Sequence, residues 1–209
     1  MFELWHGGDI VTITNGYLLS EEAVAYVGQS ISASTDFIDD CVTAASRLID
    51  NYTGRRFYLD ASPSARTYDA VGGTDLDIDD VASVTTVKTD DGSGAWATTI
   101  ASTDYQLSSP VRGWPRTHIR LLAGTFPTPS ATTRTDLIEV TGTWGWATVP
   151  AEVTAACRLV VAELVKLRDA PLGVAGGADF GVAYTRNDMP SRARQLLDPY
   201  RHVSTFGIA

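Results

Sequence analysis

The sequence predicts an α+β fold: a helical core, made of two N-terminal helices, a long helix and a short C-terminal helix, with an antiparallel β module inserted into it. Three observations carry that expectation. From Leu137 to Trp146 the residues alternate, with Leu137, Glu139, Thr141 and Thr143 on one face and Ile138, Val140, Gly142 and Trp144 on the other, the period of a half-buried strand. Directly after Pro150 the period changes, and Val153, Cys157, Val160, Val161, Leu164 and Leu167 recur at three- and four-residue steps. A second apolar stripe with the same helical spacing lies far upstream, so the β-rich stretch between about Asp60 and Trp146 separates two helical parts.

Taken in order, Asn15-Gly16 sits between apolar β-prone residues and predicts a hairpin or turn within residues 9–19. Ser20 followed by Glu21-Glu22 predicts an N-cap with acids in the first turn, opening a short helix that Gly28 closes. Ser34 caps the next helix, whose apolar stripe is Ile38, Cys41, Val42, Ala45, Leu48, Ile49 and Tyr52, with Asp36, Asp39, Asp40, Arg47 and Asp50 mostly outside it. Thr53-Gly54 ends it. Predicted strands follow at 66–70, 75–78, 83–89, 96–100, 105–108, 118–122 and 137–144, with Asp90-Asp91-Gly92-Ser93-Gly94 as a turn and 126–130 as a surface loop. Pro150 opens the long helix, where its missing N–H removes no helical bond. Beyond Asp169 glycines loosen the chain, yet Phe180, Val182 and Tyr184 alternate and can pair as a strand; Pro190 then opens a last helix, Ser191–Leu197. The organisation is an N-terminal extension (1–19), a helical core (20–59 with 147–170), the β module (60–146) and a C-terminal arm (171–209).

Composition bounds the function. The 209 residues, 44% hydrophobic, support a sizeable core, and the N-terminus lacks the basic and apolar regions of a signal peptide, so a cytoplasm-like compartment is expected. Cys41 and Cys157 fall on apolar helix faces and are expected to be buried free thiols. The net charge of −9 is uneven: residues 1–59 carry eight acids and three bases, 60–146 eleven and six, and 147–209 six and seven. A chain with that balance repels duplex DNA, which argues against sequence-specific DNA binding.

Candidate chemistry is thin. Asp75-Leu-Asp77-Ile-Asp79-Asp80 has the alternate carboxylates of a calcium loop but places Asp80 where the turn glycine belongs, and Leu76 and Ile78 alternate with the acids as on a half-exposed strand. His6, His118 and His202 have no zinc-ligand spacing, and neither a phosphate-cradling loop nor a nucleophile elbow occurs. No cofactor or metal is expected, and no enzymatic activity. Trp114, Trp144 and Trp146 support an alternative reading, a carbohydrate-binding or adhesin-like module, against the simpler one in which Trp144 and Trp146 pack the β module.

The segments Ile49-Asp-Asn-Tyr-Thr-Gly-Arg-Arg-Phe57, Asp104-Tyr105-Gln-Leu107, Val140-Thr-Gly-Thr-Trp-Gly-Trp146, Val149-Pro150, Arg168-Asp169-Ala-Pro, Gly173-Val-Ala-Gly176 and Leu196-Leu-Asp-Pro-Tyr-Arg201, in this order, resemble the head-to-tail connector (adaptor) proteins of long-tailed double-stranded DNA bacteriophages, most closely those from phages of actinobacteria. The resemblance spans roughly residues 20–201. It implies a virion protein of the neck, assembled in the host cytoplasm as a ring, twelve copies by analogy with the portal, that contacts the portal protein, a stopper or other neck protein and neighbouring copies of itself. The genome passes through such a ring without sequence-specific contact, and no membrane is involved. The C-terminal arm is then the portal-docking element, with Phe180, Val182 and Tyr184 as one apolar face, Leu196, Leu197 and Tyr200 as another, and Arg186, Arg192, Arg194 and Arg201 supplying positive charge. Asp77, Asp79 and Asp80 are the candidate contact to a neighbouring subunit or neck protein.

Overall fold

A computed structural model describes residues 13, 15–28, 34–70, 72–129, 135–169, 174–175, 183–184 and 189–202. The fold is α+β, with four α-helices and a six-stranded antiparallel sheet among the described residues, and the chain divides into two compact units: Met1–Arg55 with Val149–Ala209, and Arg56–Thr148.

The first unit holds α1 (Ser20–Val27), α2 (Thr35–Thr53), α3 (Ala151–Asp169) and α4 (Ser191–Leu197), followed by a single 3-10 turn, Asp198–Tyr200. The Ser34 side chain accepts the Phe37 N–H at 3.4 Å and so caps α2, while Gly54, at φ +66°, closes it in the left-handed conformation that an L side chain resists. α1 starts differently from the sequence expectation. Ser20 is its first helical residue, Glu22 reaches back to the Leu19 N–H at 3.3 Å, and the Ser20 hydroxyl donates to Asp39 instead of capping. That bond explains why Asp39, expected outside the apolar stripe, is buried.

The α2 stripe buries Ile38, Cys41, Val42, Ala45 and Ile49, and α3 answers with Val153, Ala156, Cys157, Val160, Val161 and Val165. Leu48, seven residues on from Cys41 in the same row, is 44% exposed, so the cover found at Cys41 does not reach it. Ser46 is a polar residue on this buried face with partners in three segments: its hydroxyl donates to the Val42 carbonyl at 2.7 Å, accepts the Tyr17 N–H at 3.1 Å and lies 3.9 Å from the Cys157 sulfur. Burial pushes the Cys157 thiol up to about 11 and raises that of Cys41, so both remain protonated and inert, as buried free thiols should.

The chain after α4 returns to α2. The His202 N–H donates to the Thr53 carbonyl at 2.7 Å, one of the four acceptors a helix end leaves open. Arg55 Nε donates to the Tyr200 carbonyl at 2.8 Å, Tyr52 donates to Asp198, and the Tyr200 hydroxyl donates to Glu152 at 2.9 Å. Ala193, Leu197 and Tyr200 are buried beneath these bonds.

The second unit is one sheet in the order β1-β6-β2-β5-β4, formed by β1 (Ser64–Tyr68), β6 (Ile138–Trp144), β2 (Asp75–Thr89), β5 (Arg116–Leu121) and β4 (Tyr105–Ser108), with β3 (Thr98–Ile100) also paired to β2. The strands predicted at 75–78 and 83–89 are one continuous β2. Between Asp77 and Val81 its pairing with β5 slips, and with β6 it slips between Val81 and Ser83 and again between Val84 and Thr86. The bulges change the buried face: Leu76, Ile78 and Asp80 point inward before the slip, Val81 and Val87 after it. β6 keeps strict alternation, burying Ile138, Val140, Gly142 and Trp144 as its period predicts. The core comprises these residues with Ile119, Leu121, Phe126 and Leu137. Asp90 organises the β2–β3 turn, its carboxylate accepting the N–H groups of Gly92, Gly94 and Trp96 at 2.5, 3.0 and 2.7 Å, and the Trp96 N–H, then that of Gly94, hold its pKa below the usual range. Far along the chain, β7 (Val174–Ala175) and β8 (Ala183–Tyr184) pair as a small hairpin, so Tyr184 does enter a strand, paired within its own chain.

Two substitutions test this packing. Leu197→Ala should lower stability by about 2–5 kcal/mol, the range for emptying a buried leucine site, in urea unfolding of the full chain followed by helical circular dichroism. Gly145→Ala should cost at least about 2 kcal/mol, since its φ is +98° and an added Cβ would fall 1.8 Å from the Tyr58 carbonyl oxygen. An unfolding midpoint unchanged by either would refute the corresponding contact.

Candidate functional site

The predicted acidic contact lies on β2, and the alternation of that strand sorts its members. Asp75, Asp77 and Asp79 project from the face opposite Leu76 and Ile78, whereas Asp80 shares the inward face with them and is 9% exposed. Asp80 is therefore not an exposed contact acid. Its carboxylate accepts the Trp146 indole N–H at 3.0 Å, and its backbone carbonyl accepts the Gly145 N–H at 2.7 Å. Trp146 packs between Phe57 and Trp114 with the rings tilted, both centroid distances being 5.2 Å, and its backbone N–H reaches the Tyr58 carbonyl at 3.3 Å. Trp144 is 1% exposed, donates its indole N–H to the Ser64 carbonyl at 2.9 Å and lies 4.4 Å from the Arg66 guanidinium. Trp144 and Trp146 are thus occupied within the unit, and half-buried Trp114 has its ring against Trp146, so Trp114, Trp144 and Trp146 do not form the open platform that the carbohydrate-binding alternative needs.

The remaining acids are paired across strands. The β2–β5 register sets Asp77 opposite His118 and Asp75 opposite Arg120. His118 Nδ1 lies 2.8 Å from Asp77, its Nε2 lies 2.9 Å from Asp75, and Arg120 Nε donates to the same Asp75 oxygen at 2.7 Å. Two carboxylates on the two nitrogens of one ring require both nitrogens to carry protons, so the geometry is that of an imidazolium. Burial works against that charge, but the hydrogen bonds and charges of Asp77 and Asp75 outweigh it, and the His118 pKa is raised. Asp75 is held well below the usual carboxylate range by Arg120 first, then Thr74 and His118. Next along the strand, Asp79 accepts from Arg66 at 2.8 Å and from the Tyr68 hydroxyl at 3.0 Å. Burial, then the Asp79 charge, raises the Tyr68 pKa. A shallow cavity of about 380 Å³ beside this row is lined by Gln106, Ser108, His118 and Arg120.

The sequence points to Asp77, Asp79 and Asp80 as the contact and to Asp75 only within the calcium-loop comparison; it leaves His118 and Arg120 unnamed as the partners of Asp75 and Asp77, and Arg66 as the partner of Asp79. The signal was present: His118-Ile-Arg120 alternates cationic groups around a buried residue, as Asp75-Leu-Asp77 alternates acidic ones, and antiparallel strands of that kind pair opposite charges. The chemistry of the row is charge pairing. Each ring nitrogen of His118 is engaged by a carboxylate, which leaves neither free to ligate a metal or take a substrate proton.

The predicted docking arm is divided. Phe180, Val182 and Arg186 lie outside the described residues. Tyr184 is in β8, Leu196 is half-buried, and Arg192 and Arg201 are exposed, the latter over the Tyr52 ring at 5.5 Å. Arg194 is half-buried. Leu197 and Tyr200 are turned into their own helical unit, so they do not form an outward apolar face. Burial, then the bond to Glu152, pushes the Tyr200 hydroxyl up to about 12.

No protein-family model and no curated protein matches the sequence. Among solved structures, the chain is similar to one described as "Neck of empty GTA particle computed with C6 symmetry", with a TM-score of 0.60 at 20% identity over 96% of this chain and 97% of that one. A second, "Virion of native gene transfer agent (GTA) particle", gives a TM-score of 0.58 at 20% identity with the same coverage of both chains. At this identity the likeness is one of fold.

Asp77→Asn should lower the His118 pKa, which in the unaltered protein should titrate above 6.5, as read by NMR of the ring carbons. Because the folded value is the raised one, the stability His118 contributes is complete below about pH 6.5 and lost as pH rises through the folded pKa. A wild-type pKa at or below 6.5 would contradict the two-carboxylate geometry. Separately, Trp146→Phe keeps a ring in that packing but removes a donor from buried Asp80, and should cost about 1–3 kcal/mol in denaturant unfolding.

Proposed function

We propose that this chain is a structural protein of the neck of a tailed-phage-like particle, arranged as a ring under the portal that joins the DNA-filled head to the tail and lines the genome channel. The observation that supports this most is the extent of the fold likeness. It covers 96% of this chain and 97% of a chain from a particle neck, so it takes in the helical unit and the inserted sheet together. A common helical hairpin or a lone β-sheet would match one part only.

The charge pattern agrees with the role. With a net charge of −9, a ring of this chain would not grip passing DNA through its phosphates. Both thiols are buried and His118 is held between two carboxylates, so none of these three groups offers an open nucleophile or base. Twelve copies, the number the portal analogy gives, satisfy a six-fold axis such as the one used for the similar neck. In this reading the exposed arginines of the C-terminal end, Arg192 and Arg201, belong with residues 171–190 to the portal-facing surface, and Asp77 and Asp79 to the surface facing a stopper or other neck protein.

The test is cosedimentation of the full chain with purified portal rings, together with electron microscopy of particles assembled without it. Binding that weakens with added salt, and filled heads lacking tails, are the expected results. Tailed, infectious particles formed without the protein would overturn the assignment.

A further inference from the structure

Two surfaces in different units have chemistry that the contacts above leave unused, and they complement each other. α1 turns Ala23 inward and leaves Leu19 60% exposed, Tyr26 50% and Val24 36%. Beside it runs an open groove of about 550 Å³ lined by Leu19, Ser20, Glu21, Val24, Ala25 and Thr35. Glu21 on the groove and Asp36, the residue after Thr35, are exposed and make no ion pair among the described residues, whereas neighbouring Glu22 is paired with Arg158 at 3.3 Å. The groove is apolar with an acidic rim.

In the sheet unit the exposed large apolar residues are Leu59, Val111 and Leu122. Leu59 precedes Asp60, and Arg120 near Leu122 is already committed to Asp75. Val111 is followed directly by Arg112, and Arg116 opens β5 five residues on; both arginines are exposed and have no carboxylate partner among the described residues. Its turn is also built to hold its shape. The Trp114 N–H donates to the Val111 carbonyl at 3.1 Å, the Ser109 hydroxyl donates to the Trp114 carbonyl at 3.0 Å, Pro115 is buried, and the Trp114 ring packs against Trp146. A knob fixed in advance loses little conformational entropy on docking.

We propose that the α1 groove of one copy receives the Val111–Arg112 turn of the next copy, with Val111 against Leu19 and Val24 and the two arginines facing Glu21 and Asp36. The occupant is a second copy of this chain because the surfaces match in apolar character and are opposite in sign, two arginines to two acids. Being different surfaces, they make a head-to-tail contact, the kind that propagates around a ring. The inference rests on the ring reading above and adds the lateral contact to it.

The test uses the full chain, with and without portal rings. Glu21→Arg and Arg112→Glu should each weaken self-association, measured by native mass over a concentration series, by tenfold or more, and the double swap should recover most of the loss. Cysteines placed at positions 24 and 111 (V24C with V111C) should give a ladder of covalent multimers on oxidation that neither single cysteine gives, the native thiols being buried and silent. Wild-type chain that never self-associates, single variants that assemble normally, a double swap no better than either single, or a disulfide that closes within one chain would each overturn the contact. Portal cosedimentation of the same variants separates the two claims: retained portal binding with a failed swap leaves the neck reading standing, and loss of portal binding by the wild type removes it.

Discussion

The sheet unit depends on the hydrogen bond between the Trp146 indole and buried Asp80. The unit is an insertion, so its chain enters at Arg56 and leaves at Thr148, and an insertion keeps its shape only if entry and exit are fastened to its own interior. Trp146 does this from the exit side. It sits against Phe57 from the entry side and Trp114 from the far end of the sheet, and its N–H satisfies an inward carboxylate on β2, the strand that pairs with three others. Gly145 makes the approach feasible, since a side chain there would occupy the space of the Tyr58 carbonyl. A polar group beneath the sheet is costly unless bonded, so the bond favours the register of β6 against β2 that brings Trp146 to Asp80.

The helical unit solves a comparable problem with backbone groups. Helix α2 ends in an open row of carbonyls, and the segment after α4 closes part of that row through His202 while Arg55 grips the same segment at Tyr200. Leu197 and Tyr200 are thereby spent on the unit's own core. The inward side of α4 is thus taken up by the packing of its own unit, which leaves Arg192 and Gln195 exposed on the other side.

Much of this was legible in the sequence, and the boundary of legibility has a physical cause. Helices α2, α3 and α4, the Ser34 cap, strand β6 and the buried thiols follow from spacing along the chain, which local patterns record. His118 between Asp75 and Asp77 does not, because the partners are 41 and 43 residues away and meet only through the β2–β5 register. Two predicted strands fused into β2 because Asp79-Asp80 interrupts the apolar alternation just where a bulge shifts the buried face by one residue. Asp80 is a different kind of miss. The alternation that exposes Asp75, Asp77 and Asp79 already assigns Asp80 to the side of Leu76 and Ile78, and grouping it with its acidic neighbours by composition overrode a correct local signal.

The distribution of satisfied and unsatisfied charge then bears on how copies of the chain can meet. On the sheet face the acids of β2 are largely neutralised in place by Arg66, His118 and Arg120, so that face presents paired dipoles and contributes little long-range attraction. Among the described residues, charges without an ion-pair partner include Glu21 and Asp36 at the starts of α1 and α2, and Arg112 on the turn after β4 with Arg116 at the first position of β5, and exposed apolar side chains lie near both groups. Charge next to apolar surface gives a contact both orientation and burial, whereas charge alone is screened within a Debye length of about 8 Å at physiological salt. Charge pairing within the sheet therefore holds a long, bulged strand in register, and in the proposed head-to-tail contact the rim charges that are unpaired among the described residues meet a neighbour's opposite charge.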